Sequence, residues 1–205
     1  MKLQNIKTII FDLGGVIIDL DTSATVKSFA QLSGQSEAQM LDVFQRNQVF
    51  HDYEKGLISS DNFRDELRDL LLEDVDDQAL DQAWNAMLGA IEQPRLDLML
   101  QLQKSYQVMV LSNTNEIHEQ AFHSILRQVS GKSHLKEFAH RVYFSHDIGM
   151  RKPDAEIYNF VVAENGIKPE ETLFLDDRLD NLEGAKACGW QTHQVKFPNE
   201  ILSLF

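Results

Sequence analysis

Four short runs constrain this 205-residue chain most: Thr8-Ile9-Ile10-Phe11, Val108-Met109-Val110-Leu111, Val142-Tyr143-Phe144 and Thr172-Leu173-Phe174-Leu175. Each is continuously apolar and rich in β-branched or aromatic residues, the pattern of strands covered on both faces of a parallel sheet. A weaker run spans residues 192–197. Stretches of helical length lie between them, at 115–128, 154–165 and 179–188. Gly166 and Gly189 sit where helices would stop, and Pro153 where one would start. Strands alternating with helices imply an α/β fold with a doubly wound, Rossmann-like parallel sheet.

The interval between the first two strands breaks that rhythm. From about residue 22 to 89 the patterning is helical throughout. Ser36-x-x-Gln39 forms a candidate capping box, Ser59-Ser60-Asp61 opens the run Phe63, Leu67, Leu70 and Leu71, and an amphipathic helix is expected over 76–88. A strand-to-helix connection normally takes about 2–6 residues, so this interval is an inserted module. We therefore expect a core made of residues 1–20 and 90–205, with a helical cap at 21–89.

Composition narrows the partners. Nineteen basic against 32 acidic residues give a net charge of −13, which disfavours nucleic acid and anionic membrane surfaces. Cys188 stands alone, so an internal disulfide is excluded. Neither a signal-peptide core nor a membrane span is expected, which points to a cytoplasmic location. Oligomeric state is left at monomer or small homo-oligomer.

Three strands deliver reactive residues to one edge: Asp12 after the first, Ser112 and Asn113 after the second, Asp176 and Asp177 after the fourth. Ligands in open α/β sheets bind beyond the carboxyl ends of the strands. Lys152, in Gly149-Met150-Arg151-Lys152-Pro153, can reach the same edge. Clustered carboxylates repel one another unless cations compensate, and Mg²⁺ is typically held by one or two carboxylates plus a substrate phosphate. Ser112, the amides beside Asn113 and Lys152 could surround that phosphate. Gly14-Gly15 permits a tight turn, and Asp12 is a possible nucleophile.

Phe11-Asp12-Leu13-Gly14-Gly15-Val16, Leu111-Ser112-Asn113-Thr114-Asn115, Arg151-Lys152-Pro153 and Phe174-Leu175-Asp176-Asp177 resemble, in order, the four motifs of the haloacid dehalogenase (HAD) superfamily. The resemblance spans the chain, including a helical cap of type C1. Residues 147–153 and 177–185 are most similar to the bacterial alpha-D-glucose-1-phosphate phosphatase subgroup. It implies a phosphoric monoester hydrolase in which Asp12 attacks phosphorus to form an aspartyl-phosphate. Mg²⁺ would be held by Asp12, the Gly14 backbone carbonyl and Asp177, with Asp176 acting indirectly. Ser112 and the Asn113 amide would hold phosphate oxygens, and Lys152 would pair with both Asp12 and phosphate. Asn181 would support them. The expected substrate is a small phosphorylated metabolite, a sugar phosphate such as a hexose 1-phosphate.

One position departs from the family pattern. Gly14 stands where most phosphatases of the superfamily carry a second aspartate for general acid–base catalysis, which is worth about 10²–10⁴-fold. A non-catalytic binding protein of the same fold, which Gly14 supports, and a metal-independent haloacid dehalogenase, which also uses an aspartate nucleophile, are the competing readings.

Other features have plainer explanations. Asp176-Asp177 could cap the following helix, and Arg151 reads as the solvent-facing neighbour of Lys152. In the cap, His51 and Glu54 are candidate substrate contacts, against the simpler reading of Phe50-His51-Asp52-Tyr53-Glu54 as a helix end. Trp84 is expected to fill the cap core. His118 and His123 lie five apart, about 500° around a helix, and so share no face for zinc. The acidic run 73–77 is expected to start a helix rather than bind calcium, and Cys188 to be packed.

Overall fold

The computed structural model describes residues 5–205. Residues 1–4, where the expected core segment begins, lie outside the described residues. In chain order the elements are β1 (Thr8–Phe11), β2 (Ile18–Leu20), α1 (Thr22–Ser33), α2 (Glu37–Arg46), α3 (Val49–Glu54), α4 (Ser60–Leu71), α5 (Asp77–Asn85) and β3 (Leu88–Ile91). There follow α6 (Gln93–Leu102), β4 (Gln107–Ser112), α7 (Glu116–Ser130), β5 (Arg141–Phe144), α8 (Ser145–Ile148), α9 (Ala155–Asn165), β6 (Thr172–Asp176), α10 (Leu179–Ala187) and β7 (Gln191–Gln194).

Five strands form a parallel sheet in the order β5-β4-β1-β6-β7. Ile9, Phe11, Val108, Val110, Leu173 and Leu175 point into one hydrophobic cluster, and Ile10, Met109, Leu111 and Phe174 into another on the opposite face. Burial on both faces explains why these strands read as unbroken apolar runs. The weak last strand is the polar edge strand Gln191–Gln194, which starts one residue before the expected 192–197 run and ends three residues short of Phe197. From β1 the chain moves to one side of the sheet, through β4 and β5, and then crosses to β6 and β7 on the other. The order switches at the β1–β6 pair, which makes a crevice at their carboxyl ends.

The inserted helices form a separate aromatic cluster built on Phe29, Phe50, Phe63, Leu80 and Trp84. Local chemistry sets their starts. Ser36 and Gln39 complete the capping box of α2, Ser59 caps α4, and Asp76 from the acidic run caps α5 by accepting from the Ala79 amide at 2.8 Å.

The structure corrects several expectations. The inserted interval is not wholly helical: the helix expected over 76–88 ends at Asn85, and Leu88–Ile91 pairs antiparallel with Ile18–Leu20. This two-stranded ribbon clamps both ends of the insertion together, and Gly89 permits it, because a Cβ there would lie 2.8 Å from Asp19 Cβ. Pro153 follows a cis peptide bond and precedes α9, which starts at Ala155. Asp176 and Asp177 do not cap α10, whose N-cap residue is Arg178 with no side-chain cap bond. Arg95, which carried no signal in the sequence, is fully buried. It pairs with Asp19 at 2.8 Å and donates to the Ile17 carbonyl at 3.1 Å, tying the ribbon to the core.

Candidate active site

The register of the sheet brings the polar residues together. Phe11 lies opposite both Val110 and Leu175, so the residue that follows β1, Asp12, is flanked by Leu111 and Asp176 one strand spacing away. The Asp12 amide donates to the Leu175 carbonyl at 2.8 Å, continuing the ladder into the site. Ser112 ends β4 beside it, and Lys152 arrives from the loop before α9.

Lys152 is the hub. Its side chain is 1% exposed, and its three ammonium donors reach Asp12 Oδ1 at 2.9 Å, Asp176 Oδ2 at 2.7 Å and the Leu111 carbonyl at 2.9 Å. A buried ammonium with every proton satisfied is held in one place. Asn113 holds its backbone as well: the side-chain amide donates to the Lys152 carbonyl at 2.8 Å while the amide oxygen accepts from the Lys152 N–H at 2.9 Å. Burial works against the lysine charge, but Asp12 and Asp176 together raise it above the ordinary lysine range.

Asp176, fully buried, accepts four bonds: from Lys152, from Asn181 Nδ2 on both oxygens at 3.1 and 3.0 Å, and from the Arg178 amide at 2.8 Å. Its lone pairs are thus occupied, and it acts as the anchor for Lys152. Asn181 is fixed in turn by its carbonyl, which accepts from Tyr158 Oη at 2.8 Å. Tyr158 was not among the residues singled out in the sequence; only the packing of α9 against α10 reveals it.

Asp177 differs. It is half-buried and makes no side-chain hydrogen bond or ion pair among the described residues. Asp12 Oδ2 is likewise unpaired, its partner oxygen taking the Leu13 amide at 2.6 Å as well as Lys152. Ligand oxygens of Asp12, Asp176 and Asp177 lie within 4.8 Å of one another. Burial pushes the Asp12 carboxyl up, Lys152 pulls it back, and repulsion from Asp176 and Asp177 raises it again, for a net upward shift. Asp177 is raised by burial and then by Asp176. Three carboxylates against one ammonium is a donor set that a hard divalent cation fits, because the ion would restore the charge balance and favour both ionised forms. Gly15 makes the close approach possible: it has φ +69°, and a Cβ there would lie 2.6 Å from Asp177 Oδ2.

Above this edge lies a cavity of about 1040 Å³, lined from the core by Asp12, Gly14, Ser112, Asn113, Lys152 and Asp177. The cap closes it with Val26, Leu41, Phe44, Phe50, His51 and Trp84. Of the two candidate contacts in the cap, His51 is exposed to the cavity, whereas the Glu54 carboxylate is engaged by Arg151 at 2.8 and 3.1 Å. Arg151 is, as expected, the more exposed of the Arg151-Lys152 pair, but it is not free in solvent. It is half-buried and latches cap to core beside Lys152, as Lys55 and Asp154 do at 3.3 Å. Trp84 fills the cap, stacked on Phe50 and on His118, and its Nε1 donates to Asn115 Oδ1 at 3.2 Å. His118 and His123 serve separate packing contacts, against Trp84 and Phe122 respectively. No helix among the described residues is long and apolar enough to cross a membrane.

The sequence and the fold are shared with known proteins. Residues 6–189 match the model of the haloacid dehalogenase-like hydrolases. The chain is 35% identical, over 92% of its length and 91% of the relative's, to a D-ribitol-5-phosphate phosphatase of Bacteroides thetaiotaomicron. A HAD family enzyme from the same bacterium, solved in complex with magnesium and inorganic phosphate, superposes with a TM-score of 0.82 at 34% identity, covering 92% of this chain and 93% of that one. A HAD-like family hydrolase of Porphyromonas gingivalis superposes with a TM-score of 0.84 at 30% identity, covering 93% of this chain and 91% of that one. With the family pattern running from before Asp12 to beyond Asp177, the chain belongs to the haloacid dehalogenase-like hydrolases.

Proposed function

We propose that this hydrolase is a magnesium-dependent phosphatase that cleaves phosphate monoesters of small sugars or sugar alcohols through an aspartyl-phosphate on Asp12. The observation that carries the reading is Lys152, buried and bonded to both Asp12 and Asp176, beside an Asp177 carboxylate with no side-chain partner. Asp12, Asp177 and the Gly14 carbonyl would hold Mg²⁺, with Asp176 behind them. The ion, when bound, offsets the charge of the carboxylates and of the phosphoryl oxygens. Asp12 attacks phosphorus in line with the ester oxygen. The Lys152 ammonium fixes the attacking carboxylate and meets the charge that builds on the phosphoryl group. Ser112 and the Asn113 amide take the remaining phosphoryl oxygens. Closure of the cap keeps bulk water from the acyl phosphate until the alcohol has left.

The finer substrate reading rests on likeness. The D-ribitol-5-phosphate phosphatase that matches 92% of the chain points to a pentitol phosphate, where the family resemblance of the motifs implied a hexose 1-phosphate. We favour the sugar-alcohol phosphate. The test is a panel of D-ribitol 5-phosphate, hexose 1-phosphates, hexose 6-phosphates and a 2-haloacid, each with Mg²⁺ and with EDTA. Magnesium-dependent release of phosphate, lost at least about 10³-fold in Asp12→Asn, is the expected result. Activity confined to the haloacid and indifferent to EDTA would sink the reading, and a preference of more than tenfold for hexose 1-phosphates would move the substrate to the sugar phosphate.

A further inference from the structure

A primary alkoxide is a poor leaving group unless it is protonated as it departs. Gly14, where a carboxyl group would do this, has no side chain, and the space beside it is taken: a Cβ on Gly14 would run into Leu20 Cδ1 from β2. The proton donor must come from elsewhere. Most ionisable groups on the cavity wall are already committed. Lys152 is tied to two carboxylates, Glu54 to Arg151 and Arg178 to Asp180. His118 is stacked on Trp84 with Nδ1 bonded to Asn85 at 2.8 Å, and burial holds its ring down to about 3.

We propose that His51 of the cap is the general acid and base of this hydrolase, taking the place of the carboxyl group missing at position 14. The imidazole lines the cavity, is exposed to it and makes no hydrogen bond among the described residues. It lies one helical turn before Glu54, on the same side of α3. Glu54 is bonded to Arg151, the neighbour of Lys152, so α3 is docked directly over the segment that carries the active-site lysine. An imidazole donates a proton in its charged form and accepts one in its neutral form, so one ring can serve both half-reactions.

The inference rests on the phosphatase reading. In the first half-reaction the Asp12 carboxylate forms a bond to phosphorus, the ester P–O bond breaks, and its electron pair takes a proton from the His51 imidazolium to release a neutral alcohol. In the second, water attacks the same phosphorus and loses a proton to neutral His51, and the phosphorus–Asp12 bond breaks to free phosphate. The imidazolium and the carboxylate are both restored.

The experiment compares wild type and His51→Gln on two esters with Mg²⁺: D-ribitol 5-phosphate, whose leaving group needs a proton, and p-nitrophenyl phosphate, whose leaving group does not. The ratio of kcat/KM on the alkyl to that on the aryl ester should fall by about 10²–10³ in the variant. The pH profile of alkyl-ester kcat/KM should change shape in His51→Gln, while that of the aryl ester should not. The other charged groups that line the same cavity wall near His51 are Glu54 from its own helix, Glu37 from α2, and Arg151 and the Arg178–Asp180 pair from the core. None of these changes with the leaving group, so the ratio isolates His51. Imidazole added to His51→Ala should restore alkyl-ester turnover. Equal losses on both esters, or no loss on either, would overturn the inference while the Asp12-dependent aryl hydrolysis keeps the phosphatase reading intact. Absence of any Asp12-dependent hydrolysis would instead overturn both.

Discussion

The two walls of the cavity are built on opposite plans. On the sheet edge the anchoring groups are buried and spoken for, with Lys152 at 1% and Asp176 at 0% exposure sharing a closed network of donors and acceptors beside the freer Asp177 carboxylate. On the cap wall the surface is made of rings and aliphatic side chains. Trp84 lies within 6.4 Å of Phe29, Phe44, Phe50, Phe63 and His118, and the polar groups are few or free. Buried hydrogen-bonded charges tolerate one geometry, whereas apolar packing can be rearranged at modest cost. On the proposed reading the core supplies the nucleophile and its cation, and the cap supplies the proton donor and the contacts to the alcohol.

Breaking the rigid wall should have the largest effect. Lys152→Met removes the cation between two buried carboxylates, and turnover should fall about 10²–10³-fold or more. In metal-free buffer the variant should also lose about 3–5 kcal/mol of stability by urea denaturation, since one partner of a buried pair is left uncompensated. A loss of turnover under tenfold would show that the core wall is less exacting than its bonding implies.

The contact between the walls should respond to acid. His118 is held neutral well below its ordinary range, so between pH 6.5 and about 3 the unfolded chain binds a proton that the folded chain does not. The stability contribution is fully present above pH 6.5 and is lost as pH falls, by at most about 1.4 kcal/mol per pH unit. His118 packs against Trp84 and Asn85 of the cap, so the loss should appear first as cap loosening. Thermal melts of wild type and His118→Gln from pH 7 to 4.5 should converge as pH drops. Parallel curves would remove His118 from the account.

The smallest effect belongs to the latch. Glu54 and Arg151 are a quarter to a fifth exposed, and such pairs are worth about 1 kcal/mol or less. Glu54→Gln should raise KM a few-fold with little change in kcat, and a double-mutant cycle with Arg151→Met should give a coupling no larger than that. A large fall in kcat would mean that the cap wall is as exacting as the core.

Much of this was legible before any coordinates. Thr8–Phe11 reads as a strand because both its faces are buried, and Asp12 reads as a site residue because it follows that strand without a break. The ribbon of Ile18–Leu20 with Leu88–Ile91 did not read, since three or four half-buried residues carry too little pattern and their pairing joins positions about seventy apart. The latch on Arg151 did not read for the same reason. Its partner, Glu54, lies 97 residues away, and nothing local distinguishes a latched arginine from a solvated one.

The order of strands and polar residues along the chain was enough to define a parallel sheet, its reactive edge and a cluster of acids in want of a cation, because burial on two faces and strand-end placement are local properties of sequence. Tertiary structure alone decided which carboxylate is saturated and which is free, that Leu20 fills the space beside Gly14, and that α3 brings His51 over the lysine-bearing loop. Those outcomes depend on how distant segments pack, and packing is settled by contacts among residues that are remote from one another along the chain.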